Sequence, residues 1–142
     1  MNKMQKTQDK YGPGIWFSLH LQAAHAKTNM LKESFIQNIK ILGENFPCEN
    51  CKHHFAAYLA EHPIETYINR GEKGLFLWTW EFHESVNKRL HKPGLTFDVA
   101  WKQFTSSSAI CTDECGDDTP PATMTSNKHY TIRSYHSLIP GQ

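Results

Sequence analysis

Two cysteines separated by two residues stand in the stretch FPCENCKHHF, residues 46–55, and two histidines follow them at once. This spacing is compatible with a zinc site, with a redox-active disulfide, or with a turn that only happens to contain thiols. A second close pair, Cys111 and Cys115, follows later in the chain. The first residues, MNKMQKTQDKYG, lack the apolar core of a secretion signal. Without such a signal, close cysteine pairs favour metal or redox chemistry over structural disulfides.

Pro47 predicts that the first cysteine pair lies at the start of a helix. Proline is tolerated in the first turn of a helix, where its missing N–H would have had no partner. If Cys48 begins that helix, Cys51 lies one turn later on the same face, with Cα atoms roughly 5–6 Å apart and within disulfide range. The partial positive charge at the amino end of a helix stabilises a thiolate. This placement favours a redox pair with Cys48 and Cys51 as the catalytic residues.

Zinc is the main competing interpretation, because the four cysteines could nominally supply a tetrahedral site. The second pair, however, has three intervening residues, and His53 and His54 would point about 100° apart on a helix. We therefore expect no metal. A zinc-stabilised helical binding module, and a flavin-free module whose cysteine pair is only structural, remain as alternatives. A thioredoxin-like motif is not indicated, because it should follow a strand in a βαβ pattern.

Length and charge limit the classes of partner. A chain of 142 residues is long enough for one domain with a hydrophobic core. Its formal net charge of +1 provides no basic surface of the kind that binds nucleic acid. No stretch approaches the ~20 apolar residues that cross a bilayer. We therefore expect a cytoplasmic protein without a signal peptide and without nucleic-acid or membrane partners.

Apolar residues recur at helical spacing up to about residue 105, and no segment there alternates with the period of a strand. The predicted class is all-α: a four-helix bundle plus a short fifth helix. The Gly12-Pro13-Gly14 turn is expected to precede the first helix, and Thr96 to cap the fifth. The predicted helices cover residues 15–25, 29–44, 48–61, 73–91 and 97–104.

The composition divides the chain into three parts. We predict an N-terminal leader at 1–10 and a helical domain at 11–105. From 106 to 142 the sequence is rich in Ser, Thr, Pro and Asp, which predicts a flexible tail that carries the Cys111 and Cys115 pair.

Two of the predicted helices place a histidine next to a tryptophan. Trp16 and His20 are four residues apart, as are His83 and Asn87, which follow Trp78 on the fourth helix. Residues at this spacing share a helix face. Helix bundles bind cofactors between such faces. Two aromatic and polar faces beside a reactive cysteine pair indicate a flat redox cofactor next to a disulfide.

Three segments, in order and at the expected spacing, resemble the Erv/ALR family of FAD-dependent sulfhydryl oxidases: GPGIWFSLH (12–20), FPCENCKHHFAAYL (46–59) and LWTWEFHESVNKRLHKP (77–93). The small forms of large DNA viruses are the most similar. The resemblance covers about residues 11–104. It implies a helical bundle with non-covalent FAD, usually as a homodimer. It also implies oxidation of paired protein thiols, with electrons passing through the cysteine pair to FAD and then to O2, which gives hydrogen peroxide. For a viral member it implies action in the host cytoplasm, on virion proteins.

The resemblance also implies roles for individual residues. Cys51 would lie beside the flavin, and Cys48 would be the outer cysteine that exchanges with the substrate. Cys111 and Cys115 would be either a shuttle that passes electrons to the first pair or a non-catalytic pair. The residues that would contact FAD are Gly12, Trp16, His20, Phe46, Cys51, Trp78, His83, Val86, Asn87, Leu90, Lys92 and Trp101.

Two residues depart from the family pattern. Glu84 follows His83 where the family usually has asparagine, and Tyr11 stands where viral relatives often have tryptophan. The first departure leaves one polar contact to the cofactor in question.

Overall fold

The computed structural model describes residues 3–106, and the side chains of residues 10–106. Within this range there are only helices, which confirms the predicted all-α class with four longer helices and a short fifth one. The predicted tail, with Cys111 and Cys115, lies outside the described residues. The elements are α1 (Lys3–His25), α2 (Asn29–Glu44), α3 (Glu49–Glu61), a 3-10 helix (Ile64–Tyr67), α4 (Gly74–Arg89) and α5 (Phe97–Thr105).

The first helix is longer than predicted. The Gly12-Pro13-Gly14 turn was expected to precede it, but α1 begins at Lys3 and runs through Pro13. A proline inside a helix removes one backbone donor, so this continuation has a cost. The Tyr11 ring packs edge-on against Phe46, with ring centroids 5.8 Å apart, and this contact holds the chain before Pro13 against the domain. Tertiary packing here overrides the local preference for a turn.

The boundaries of α2 and α3 follow from their caps. The Thr28 hydroxyl accepts a hydrogen bond from the Leu31 N–H at 3.2 Å, and α2 covers the predicted residues. Cys48 is the N-cap of α3 rather than its first helical residue. Pro47 therefore precedes the cap. The prediction that Pro47 lies in the first turn of the helix was wrong. Cys51 remains one turn from Cys48.

The end of α4 differs slightly from the prediction, which extended the helix to residue 91. The helix ends at Arg89, and His91 adopts a left-handed conformation with φ of 55°. The Lys92 N–H donates to the Asn87 carbonyl at 2.9 Å, a bond that closes the helix end in a Schellman motif. Further along, Thr96 stands at the N-cap position of α5 but makes no capping side-chain bond.

The core joins the helices through one cluster of apolar side chains, in which Phe76, Trp78, Ile39 and Ile64 are fully buried. Helix α1 packs against α4, α5 and α2, and α2 packs against α3. Gly74 lies so close to the Tyr67 carbonyl that a Cβ atom there would overlap it. Because α1 and α4 lie side by side, their histidine faces meet. No helix in the described part of the chain is long and apolar enough to cross a membrane.

Candidate active site

A cavity of about 700 Å³ opens between α1, α4, α5 and the start of α3. Its walls are mostly apolar and aromatic, which is typical of a site for an organic ligand. The cavity brings together ten of the residues predicted to contact a cofactor: Gly12, Trp16, His20, Phe46, Cys51, His83, Val86, Asn87, Leu90 and Lys92.

Two other predicted residues do not line this cavity. Trp78 is fully buried in the core, where its indole N–H donates to the His62 carbonyl at 2.8 Å. Trp101 packs edge-on against Phe76 with centroids 5.1 Å apart, and the Lys73 ammonium lies 5.1 Å from its ring. The structure therefore places both tryptophans in packing positions away from the cavity wall.

Trp80 is the cavity tryptophan of α4, and the sequence analysis missed it. Helix geometry explains the difference. Trp78 precedes His83 by five residues, so the two side chains are about 140° apart around the helix axis. Trp80 precedes His83 by three residues, so these two are only about 60° apart and share a face. The spacing alone could have selected Trp80. Its indole N–H donates to the Leu95 carbonyl at 2.8 Å, which ties α4 to the segment before α5.

The cysteine pair lies at one end of the cavity. Cys51 lines it, whereas Cys48 does not, and both side chains are half-buried. The two sulfur atoms are 2.7 Å apart, so a disulfide can form with little movement. The Cys48 sulfur also accepts the Cys51 N–H at 3.4 Å, as the capping group of α3. Negative charge on that sulfur is favoured at the amino end of a helix.

The Tyr11 hydroxyl lies beside this pair. Its oxygen is buried and has no hydrogen bond of ordinary geometry among the described residues. Burial, and then negative charge on Cys51 and Cys48, raise the pKa of Tyr11 to about 12. Tyr11 is a cavity residue that the prediction did not include in the site, although its departure from the family pattern was noted.

Two histidines form a buried chain of hydrogen bonds between α1 and α4. His20 Nδ1 is 2.9 Å from the Thr79 hydroxyl oxygen, and His20 Nε2 is 3.0 Å from His83 Nδ1. The Thr79 hydroxyl donates its one proton to the Phe76 carbonyl. His20 Nδ1 must therefore donate to Thr79, and a neutral His20 accepts at Nε2 from His83 Nδ1. His83 is left with Nε2 as an acceptor.

Both histidines are neutral near pH 7. Burial, and then the neighbouring His83, lower the pKa of His20 to about 3. The pKa of His83 is lowered to about 4, mainly by burial, with Glu84 opposing the shift and Lys92 adding to it. The His83 ring stacks on Trp16, with centroids 4.1 Å apart and planes 5° from parallel. The two helices thus present a flat wall with an uncharged polar edge.

Charged side chains lie at the rim of the same cavity. Arg89 donates to His54 Nδ1 at 2.7 Å, and both residues line the cavity together with Lys92. The Asn87 amide donates to Glu84 at 3.2 Å. The departure at Glu84 therefore puts a carboxylate on the cavity wall. Between residues 10 and 106, no three His, Cys, Asp or Glu side chains converge as metal ligands.

Comparisons with known proteins agree with this architecture. The model of the Erv1 / Alr family matches residues 13–106. An FAD-linked sulfhydryl oxidase of African swine fever virus (isolate Tick/Malawi/Lil 20-1/1983) is 36% identical over 109 residues, which cover 75% of this chain and 88% of the relative. That of isolate Pig/Kenya/KEN-50/1950 is 35% identical with the same coverage. The FAD-linked sulfhydryl oxidase ERV1 of Arabidopsis thaliana is 25% identical over 111 residues, 74% of this chain and 56% of the relative. The resemblance seen in the three motifs is confirmed, and the chain belongs to the Erv1/Alr family.

Proposed function

We propose that this chain is an FAD-dependent thiol oxidase that converts pairs of protein thiols to disulfides and reduces O2 to hydrogen peroxide. The observation that carries the proposal is the position of Cys51, which is one turn from Cys48 and lines the same cavity as the Trp16 and His83 rings. Membership of the family and the names of the viral relatives support the same activity.

The cavity fits FAD in size and chemistry. Its volume of about 700 Å³ lies within the usual range for organic ligands. The stacked Trp16 and His83 rings would hold the flat flavin, and His83 would offer it a neutral ring nitrogen as a hydrogen-bond acceptor. Lys92 and Arg89 at the rim would hold the diphosphate. When bound, FAD supplies a two-electron acceptor that O2 can reoxidise.

The cysteine pair supplies the thiol chemistry. A substrate thiolate attacks the Cys48 sulfur, a new S–S bond forms, and the Cys48–Cys51 bond breaks with its electron pair left on Cys51. A second substrate thiolate then attacks the mixed disulfide, which releases the oxidised substrate and leaves Cys48 as a thiolate. Two thiols become one disulfide, and the pair is reduced by two electrons. Cys48 suits the outer role because it lies outside the cavity that Cys51 lines.

An oxygen electrode tests the activity. The purified chain should consume O2 when given dithiothreitol, and catalase should return about half of that oxygen, as expected for hydrogen peroxide. Cys48→Ser and Cys51→Ser should each abolish consumption, whereas Thr66→Ser, at an exposed position that does not line the cavity, should not. A wild-type chain that binds no flavin and consumes no O2 would refute the proposal and favour a structural role for the pair.

Three finer points belong to the proposal. The substrates are proteins with paired thiols in the cytoplasm, and for a viral protein in the host cytoplasm; kinship with viral relatives supports this. The homodimer implied by the resemblance can be tested by light scattering of the purified chain. Cys111 and Cys115, which lie outside the described residues, would pass electrons from protein substrates to Cys48 and Cys51.

A further inference from the structure

Tyr11 places a buried phenol beside the reacting sulfurs, and the thiol chemistry described above does not use it. Its ring packs edge-on against Phe46, two residues before Cys48 in the sequence. Its oxygen is buried and forms no hydrogen bond of ordinary geometry with the rest of the described chain. A buried hydroxyl without such a bond is costly, and it calls for a partner in some state of the protein.

Cys51 is the cysteine whose side chain shares the cavity with Tyr11. Burial is the first cause of the raised pKa of the phenol, and negative charge on Cys51, and then on Cys48, adds to it. The Cys48 sulfur, by contrast, accepts a backbone N–H at the start of α3. The helix end thus supplies a donor to the Cys48 sulfur, whereas Tyr11 carries a hydroxyl on the cavity wall that Cys51 lines.

We propose that the Tyr11 hydroxyl donates a hydrogen bond to the Cys51 sulfur and stabilises it as a thiolate when the disulfide opens. This inference rests on the proposed thiol oxidase function. When a substrate thiolate attacks Cys48, the electron pair of the broken S–S bond is left on Cys51, which has to carry negative charge in a mostly apolar cavity. A phenol O–H directed at that sulfur compensates the charge.

The phenol donates a hydrogen bond but keeps its proton. Because the pKa of Tyr11 is raised to about 12, its hydroxyl stays protonated while Cys51 ionises. The coupling is reciprocal: a thiolate that makes the phenol harder to ionise is itself stabilised by the phenol proton. No atom is transferred to or from Tyr11 in the exchange step.

The test uses the full chain with Cys51 as its single cysteine, with serine at positions 48, 111 and 115. The rate of alkylation by iodoacetamide is measured against pH, which gives the thiolate pKa of Cys51 without turnover. Tyr11→Phe keeps the ring contact with Phe46 and removes only the hydroxyl. We expect the thiolate pKa to rise by about one unit, a tenfold loss of thiolate at a pH below it.

Tyr67→Phe is the matched control, because it also removes a tyrosine hydroxyl bonded inside the domain, to Glu81 at 2.6 Å, but away from the cysteines. It should leave the pKa of Cys51 unchanged. A pKa of Cys51 that is equal in the single-cysteine chain with and without Tyr11→Phe would overturn the inference. As a second measurement, NMR of labelled tyrosine monitors the pKa of Tyr11. Cys51→Ala should lower this pKa, and an unchanged pKa of Tyr11 would equally contradict the inference.

The outcome for Tyr11 is separable from that for the proposed function. Alkylation reports on the thiolate whether or not the chain oxidises thiols. A wild-type chain that consumes O2, combined with no pKa change in Tyr11→Phe, refutes the role of Tyr11 alone. A chain with the expected pKa change but no O2 consumption refutes the oxidase and leaves the hydrogen bond in place.

Discussion

Acidification should destabilise this protein through His20 and His83. Both are neutral in the folded chain because their pKa values are lowered to about 3 and about 4. In the unfolded chain a histidine has a pKa of about 6.5. Below that pH the unfolded chain takes up protons that the folded chain does not, so stability is complete above pH 6.5 and falls as the pH decreases towards 4.

The size of the effect follows from the pH interval. Each proton taken up only by the unfolded chain costs about 1.4 kcal/mol per pH unit. At pH 6.5 the unfolded histidine is already half protonated, so between pH 6.5 and 5 each histidine contributes a loss of roughly 1–2 kcal/mol, and the two together about 3 kcal/mol. Because a small domain is stable by only about 5–15 kcal/mol, such a loss is easy to measure.

Urea titrations monitored by tryptophan fluorescence measure this loss of stability, with the same concentration of FAD in every sample. His20→Gln keeps a polar side chain but does not titrate, so it should lose roughly 1–2 kcal/mol less than the wild type between the two pH values. His53→Gln, at an exposed position on α3, should show the full loss. If His20→Gln lost as much stability as the wild type, the reasoning about a buried neutral histidine would be wrong.

Three further predictions concern other parts of the chain. Gly74→Ala should reduce the free energy of unfolding by about 2–3 kcal/mol in urea titrations, because the new Cβ would overlap the Tyr67 carbonyl. Gly14→Ala is the control: it has open space around it and should not reduce the free energy of unfolding. His91→Gly should raise the free energy of unfolding by about 0.5–1 kcal/mol in the same titrations, since the left-handed conformation favours glycine. If the second pair is a shuttle, Cys111→Ser should leave the oxidation of dithiothreitol unchanged and slow the oxidation of a reduced protein substrate, both measured by O2 consumption. An equal effect of the substitution on the two substrates would argue against a shuttle.

Local signals in the sequence were sufficient for much of the fold. The bounds of α2 were predicted from apolar residues that recur at helical spacing, and the helix covers the predicted residues 29–44. The start of α3 was predicted from Pro47 to within one residue, and this placed Cys48 and Cys51 one turn apart. The extension of α1 through Pro13 was not predictable locally, since it depends on the packing of Tyr11 against Phe46.

The site was predictable where a residue's helix face decides its position. His20 and His83 were each assigned to a face, but their hydrogen bond joins residues 63 positions apart and requires α1 and α4 to lie side by side. Trp78 was preferred to Trp80, although a count along the helix favours Trp80. Tyr11 and Cys51 line the same cavity only through tertiary packing, so no pattern within the sequence could bring the two together.

Anaerobic reduction tests the central claim most directly. The purified chain should be yellow, and stoichiometric dithiothreitol added without oxygen should bleach the flavin absorbance, which air then restores. Cys51→Ser should bind the flavin but keep its absorbance under the same treatment, because no thiolate pair connects the substrate to the cavity. A colourless wild-type chain, or bleaching of Cys51→Ser as fast as the wild type, would contradict the assignment of Cys48 and Cys51 as the route for electrons.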